Sequence, residues 1–379
     1  MKIKIVLGLG FGDEGKGATV NALCTDPKNT VVVRHNSGHQ VGHTVVHNNI
    51  RHPFSNFGSG TLKGVPTYFS EYCTVNPLAV KKEGDVLRAQ GIYPVVYYNA
   101  NAMVTTPYDI YRNTNDGNNV LHGTVGVGFG ATIQRNEDMY HLYIRDLQYP
   151  KIRDMKLIAI QQYVCRETND YAIVGNKHYD QIIEKFKLSC DELVQKYSII
   201  DNFGYIRVHD PDLIFEGGQG IMLDMDYGFY PNVTRSNTTS KNAMEIIEKN
   251  GLGSHMIETY YVTRAYQTRH GNGPMTNDDL DISYIKPNPL ETNVDTGAQG
   301  IFRKSVLDMD LLKYALNCDK YHNKSLGKFL VVTCMDQVGE RVPVTDFEGK
   351  LLSLMPKEIG NWLSIFNVYT SNSDQGIVF

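Results

Sequence analysis

The chain has 379 residues, of which 41% are hydrophobic and 21% charged, with 34 glycines and 14 prolines. That length and apolar content exclude a disordered protein and allow a core that needs no disulfide or metal staple. A net charge of −4 argues against a general nucleic-acid or anionic-membrane binder, so any phosphate chemistry must come from local sites.

In chain order, Lys2–Leu9 alternates and then saturates with branched residues, as a central parallel strand does. Lys16–Leu23 reads as a short helix, and Thr30–Val33 and Tyr93–Tyr98 as further strands. Asp154–Thr168 and Tyr179–Tyr197 have helical periodicity, with Ile182, Ile183, Phe186 and Leu193 on one side; Tyr171–Val174 between them reads as a strand. Leu213–Glu216, Ile257–Arg264 and Phe329–Thr333 are short apolar runs that end in polar or glycine-rich residues, and Leu307–Asn317 is a predicted helix. Strands alternating with helices predict an α/β fold: a large, mostly parallel central sheet with flanking helices. With no repeat, low-complexity tract or Pro/Ser linker, residues 1–379 are read as one domain. The polar stretches 48–63, 113–138 and 266–304 read as long active-site loops.

The six cysteines include no Cys-x-x-Cys pair and read as buried thiols of a reducing compartment. No stretch approaches the roughly 20 apolar residues of a membrane helix. The N-terminal segment is too short for a signal h-region, so a cytoplasmic location is expected.

After the first strand comes Gly10-Phe11-Gly12-Asp13-Glu14-Gly15-Lys16-Gly17, a P-loop-like strand–loop–helix with Gly17 where a P-loop has Ser or Thr. Glycines let backbone N–H groups turn toward a phosphate, the helix presents its positive end, and Lys16 adds a point charge. The hydroxyl that would hold Mg²⁺ is missing. An Asp inside a phosphate-binding loop makes sense if Asp13 ligates the metal or takes a proton from the substrate.

His35, His39, His43 and His47 recur every four residues, but Ser37-Gly38 and Gly42 interrupt them and no metalloprotease Glu follows the first, so a zinc reading fails on context. Gly38-His39-Gln40-Val41-Gly42-His43-Thr44 reads as a second anion-facing turn, one of whose histidines could donate to a phosphoryl group.

The two loops together resemble the paired signatures of adenylosuccinate synthetase. Further blocks follow in that family's order: Phe215-Glu216-Gly217-Gly218-Gln219-Gly220; Leu223–Gly228 through Ser236–Thr239; Ala265–Arg269 with Gly271 and Gly273-Pro274; and Thr333-Cys334-Met335-Asp336, with a weaker echo at Thr370–Asp374. The resemblance implies a GTP-dependent ligase that joins L-aspartate to C6 of a 6-oxopurine nucleotide through a 6-phosphoryl intermediate, with Mg²⁺ as cofactor and a homodimeric assembly. By that resemblance the catalytic residues are Asp13 (general base at purine N1), His43, Lys16 and Gln219. GTP would be bound by Gly12, Gly15, Lys16, Gly17, Gly42, Thr44, Thr333 and Asp336, the last reading guanine. The acceptor nucleotide would meet Asp13, Gln40, Thr124, Gln219 and Thr239; aspartate would meet Thr296, Gly297 and Arg303; Mg²⁺ would be held by Asp13 and the Gly42 carbonyl.

The departures from the family pattern cluster on the acceptor side. Ile301 falls where an arginine usually reaches the ribose, Gln40 replaces an Asn, the Gly123–Gly128 loop lacks its second threonine, and only Arg135 offers a match to the arginine that a neighbouring subunit lends. That bias opens dGMP as the alternative acceptor, as in the phage branch that makes 2-aminoadenylosuccinate; Asp13 is kept where phage members of the family tend to carry a small residue, so IMP is the first-ranked acceptor. The shortened region after Asp336 fits an archaeal-like or phage-like member. A third reading, from another class, is a guanine-nucleotide-binding switch with no ligase activity; Gln219, Thr239 and a basic 295–304 loop argue against it, since a switch needs no second nucleotide site.

Overall fold

The computed structural model describes residues 1–115, 125–207, 210–271, 273–289, 291, 300–372, 377 and 379. Its centre is a nine-stranded sheet. In chain order the strands are β1 (Ile3–Gly8), β2 (Thr30–Arg34), β3 (Thr67–Phe69), β4 (Val96–Asn99), β5 (Ser198–Ile200), β6 (Asp212–Glu216), β7 (Ile257–Arg264), β8 (Gly327–Thr333) and β9 (Asn367–Thr370). Their spatial order is β9-β8-β7-β1-β6-β2-β3-β4-β5, and every pairing is parallel.

The expectation of a parallel sheet covered on both faces holds, and the apolar runs explain it. Ile3, Ile5 and Leu7 of β1 enter one core with Leu213 and Phe215, while Val6 enters a second with Val20, Val32 and Ile214. Helix α1 (Lys16–Leu23) covers that second face. All six cysteines are buried and unpaired. Among the described residues no helix is long and apolar enough to cross a membrane.

Several elements differ from expectation. Tyr171–Val174 is a turn between helices Pro150–Thr168 and Lys177–Lys196, not a strand. Asp170 accepts from the Ala172 N–H, and Asn176 caps the second helix through the His178 and Tyr179 N–H groups, so local side chains use the backbone groups a ladder would need. The strand expected from Tyr93 begins at Val96, after Pro94, which has no N–H to give a ladder. The helix expected from Leu307 begins at Met309, capped by Asp308 through the Asp310 and Leu311 N–H groups. The three long polar stretches hold structure: a hairpin of His43–His47 with Ile50–Phe54, a helix Phe129–Glu137, and a strand Gln267–His270 paired with Phe302–Ser305.

The topology places the site. The chain runs outward from β1 to β5, returns as β6 between β1 and β2, and then builds the other half of the sheet. The carboxyl ends of β1, β2, β6, β7 and β8 therefore open onto one edge at the point where the direction of winding reverses, where open α/β sheets bind ligands.

Candidate active site

A cleft of about 910 Å³ lies at that edge. Among its lining residues are Gly12, Asp13, Gly15, Lys16, Gly17, Gln40, Gly42, His43, Thr44, Gln219 and Thr333, so the structure brings these site expectations together.

The glycine loop is built around a carboxylate that sequence reading left unassigned. Glu14 is buried and accepts from the Gly10 N–H (3.0 Å), the Gly12 N–H (2.9 Å) and Lys16 Nζ (2.5 Å). A Cβ on Gly220 would lie 2.5 Å from its Oε1 and 2.1 Å from the Gly10 carbonyl, so the β6 loop can rest on the β1 loop only through glycine. Asp13 adopts φ 62°, a left-handed conformation that Asp tolerates better than most side chains. Its carbonyl accepts from Arg264 Nε at 2.6 Å, and its carboxylate lies 3.4 Å from His270 Nε2. Burial would raise the Asp13 carboxyl. The His270 contact and the charges of Arg264, His270 and Lys16 outweigh burial and hold it below the usual carboxylate range.

Gly17, the departure from a P-loop, has a packing cause. A Cβ there would stand 2.8 Å from His43 Cβ and 3.0 Å from Ser59 Oγ, because the hairpin carrying His43 packs directly on α1. Gly17→Ser, which restores the P-loop hydroxyl, is expected to cost about 1–3 kcal/mol by overpacking. Chemical denaturation checks this, and unchanged stability would refute the packing account.

The four histidines diverge. His35 is fully buried, with its ring 6.1 Å from Phe215, and burial together with Arg34 pushes it down to about 3. His39 meets Asn56 Nδ2 at 3.0 Å, and His47 ends the first hairpin strand. His43 Nδ1 lies 2.6 Å from Glu216 Oε1 at the end of β6. Glu216 also accepts from the Ser59 N–H (3.1 Å) and the Ser59 hydroxyl. Burial would raise Glu216, but His43, Arg34 and Ser59 hold it at about 2. Burial lowers His43 despite Glu216, which leaves a neutral ring donating Nδ1–H to an ionised carboxylate. Among the described residues His43 Nε2 has no hydrogen-bond partner. This is the arrangement in which a carboxylate orients an imidazole and stabilises it when it takes a proton. Glu216 was legible in part: a charge closing the apolar run Leu213–Phe215 stands at a strand's carboxyl end.

Gln219 has φ 61°, and its amide oxygen accepts from Ser37 Oγ at 3.4 Å. Among the described residues neither amide atom of Gln40 has a hydrogen-bond partner. Thr333 Oγ1 donates to the Glu14 carbonyl at 2.7 Å, tying β8 to the glycine loop.

Other expected residues lie elsewhere. Thr239 is fully buried, its N–H donating to Asp224 and its hydroxyl accepting from the Lys241 N–H, so it stands outside the cleft lining. Asp336 is exposed on the short helix Met335–Val338 after β8, also outside that lining. Arg303 is outside it too and donates to the Gly273 carbonyl. Arg135 cannot reach out to a neighbouring nucleotide: it is fully buried, paired with Asp109 at 2.7 Å and donating to the Val104 and Tyr140 carbonyls. Thr124, Thr296 and Gly297 lie outside the described residues.

A fit for Mg²⁺ can be judged from the donors. Asp13 offers a carboxylate with 26% side-chain exposure, and Gly42 is exposed with nothing crowding it. No group of three His, Cys, Asp or Glu gathers as a cage among the described residues. One carboxylate and one carbonyl completed by substrate phosphates and water suit Mg²⁺, which rarely takes an all-protein cage.

A sequence profile of the adenylosuccinate synthetase family matches residues 5–373. Adenylosuccinate synthetase of Blochmanniella floridana is 27% identical, covering 96% of this chain and 85% of that one. The enzyme of the same name from Thermoplasma volcanium is 29% identical, covering 94% and 81%. Among solved structures, fully ligated adenylosuccinate synthetase from Plasmodium falciparum superposes with a TM-score of 0.76 at 17% identity, covering 99% and 98%. Succinoaminodeoxyadenylate synthetase of cyanophage S-2L, bound to dGMP and to dATP as energy donor, gives 0.65 at 12% identity, covering 100% and 95%. The chain belongs to the adenylosuccinate synthetase family, and its class is that of ligases forming a C–N bond. The family is GTP-dependent and generally requires Mg²⁺.

Proposed function

We propose that the protein joins L-aspartate to C6 of IMP at the expense of GTP, yielding adenylosuccinate, GDP and phosphate. The observation that carries this reading is an ionised Asp13 standing in the glycine loop of a cleft that also holds the Glu216-backed His43. A switch that only binds GTP has no use for a second acid–base centre.

Asp13 takes the proton from N1 of the purine, and the electrons move to O6. In the same step O6 forms a bond to the GTP γ-phosphorus as the bond to the β-phosphate oxygen breaks, and the N1 proton passes to Asp13 late in that step. Lys16 and the Gly15 and Gly17 N–H groups meet the phosphates with Thr44, while the Gly12 N–H holds Glu14 in the loop. With the phosphates seated against it, His43 takes up a proton at Nε2 and donates it to them in a hydrogen bond, the imidazolium stabilised by Glu216. Asp13 and the Gly42 carbonyl would hold Mg²⁺, which neutralises phosphate charge when bound. Gln219 and Gln40 offer amides to the acceptor. The aspartate amine then attacks C6, and phosphate leaves with O6. Asp336 accepts from guanine N1 and the 2-amino group, a pattern adenine cannot match. Arg303 supplies charge for the incoming dicarboxylate.

One observation favours dGMP as acceptor. Ile301 is 67% exposed where an arginine would reach the ribose, and an apolar side chain gives a 2′-hydroxyl nothing to pair with. The deciding experiment is phosphate release from GTP with Mg²⁺ and aspartate, given IMP, dGMP or no acceptor. Release that requires IMP is expected. Release requiring dGMP would move the protein to the deoxynucleotide reaction, and acceptor-independent release would refute both.

A further inference from the structure

We propose that His270 is a positioning residue for the Asp13 carboxylate, fixing which oxygen faces the acceptor purine. The inference rests on the reading of Asp13 as the base. Two residues of one continuous segment grip Asp13. Arg264, the last residue of β7, holds its backbone carbonyl at 2.6 Å, and His270, six positions on, reaches its carboxylate at 3.4 Å. The first contact fixes the Cα of a residue already confined to φ 62°, but leaves both side-chain torsions free. The second constrains them.

Among the described residues, His270 Nε2 is the only group at hydrogen-bond range of the Asp13 side chain, and it takes Oδ2. That leaves Oδ1 as the oxygen able to accept the N1 proton. At 3.4 Å the contact is long, as contacts between catalytic groups commonly are until substrate seats. The imidazole is itself held. It closes the strand Gln267–His270 opposite Phe302, with the two rings 4.9 Å apart, and it lines the cleft beside Asp13. The need for such a hold is electrostatic. The Lys16 ammonium and Arg264 guanidinium both attract the Asp13 carboxylate. Without His270 the carboxylate can turn toward Lys16, which serves the phosphates, and away from the purine.

The test compares His270→Leu, which removes the donor, with His270→Gln, whose amide nitrogen can occupy the place of Nε2. Turnover and KM for each substrate are measured, with guanine-nucleotide binding as the check that the site is folded. His270→Leu is expected to lower kcat on the order of 10- to 100-fold, the cost of a misplaced catalytic group, with KM for GTP within about threefold. His270→Gln should recover to within about threefold of the parent rate. If the leucine variant fails to bind guanine nucleotide, His270→Asn replaces it, because its amide is too short to reach Oδ2. Wild-type kcat in the donor-free variant, equal impairment of the glutamine variant, or a loss confined to the KM for GTP would each overturn the proposal. Asp13→Asn assayed in parallel separates the two ideas. If it stays active, the base assignment fails; if it is dead while His270→Leu is unimpaired, only the role of His270 fails.

Discussion

Asp13→Asn is expected to lower acceptor-dependent phosphate release by a factor on the order of 10² to 10⁴, while guanine-nucleotide binding changes little. Asparagine is the least disturbing replacement, because it also tolerates the left-handed backbone that Asp13 adopts. The Arg264 contact is to the backbone carbonyl and survives the change. What is lost is the ability to accept a proton. A carboxyl held below its usual range is ionised throughout the neutral region, so it is always ready, yet it is a weak base toward purine N1. The difficulty is met by timing: as O6 bonds to phosphorus, N1–H becomes more acidic, and transfer is favourable late in the step. Burial acts against this ionisation and the surrounding cations and His270 act for it, so the depressed value reflects a site built to keep Asp13 charged. An Asp13→Asn enzyme with undiminished turnover would remove the base from the scheme.

How much of this was legible in the sequence depends on which physical signal each part leaves. Apolar runs that pair with neighbours on both sides announce themselves, and β1, β2, β6, β7 and β8 appear within a residue or two of their expected ends. The glycine-bearing blocks were legible for a linked reason: each follows such a strand, and parallel strands deliver all of them to one edge. Short strands leave less trace. Thr67–Phe69 pairs on both sides but has only three residues, and the edge strands Ser198–Ile200 and Asn367–Thr370 have three and four and are partly exposed, so no continuous apolar run marks them. Tyr171–Val174 misleads because its apolar residues serve a helix–helix turn, with Tyr171 and Val174 facing solvent. The partners of the catalytic side chains were the least legible. Nothing in the sequence gives Glu14 a role beside Asp13, yet it is buried among backbone N–H groups and Lys16. Glu216 meets His43 across 173 positions of sequence, a contact that only the fold creates.

That contact sets the second large effect. Glu216→Gln is expected to lower turnover on the order of 10²- to 10³-fold, the cost of losing a charged donor at a developing phosphoryl charge, with KM for GTP little changed. The Ser59 N–H and hydroxyl both donate to this carboxylate, so a glutamine must choose how to face them. If its amide oxygen meets His43 Nδ1–H, its amide nitrogen confronts the Ser59 donors. If the nitrogen faces His43, the imidazole proton shifts to Nε2 and a neutral donor remains, but no carboxylate is left to stabilise the protonated ring. Positive charge at Nε2 is lost in either case. Stability gives an independent readout. Glu216 is held at about 2 against an ordinary 4.5, so its contribution is fully present above 4.5 and is lost as the pH falls toward 2. The difference in unfolding free energy between parent and Glu216→Gln should therefore be largest near neutrality and shrink across that acidic window. A difference that is flat from pH 7 to pH 2, or a glutamine variant with the parent kcat, would show that Glu216 does not hold His43 through its charge.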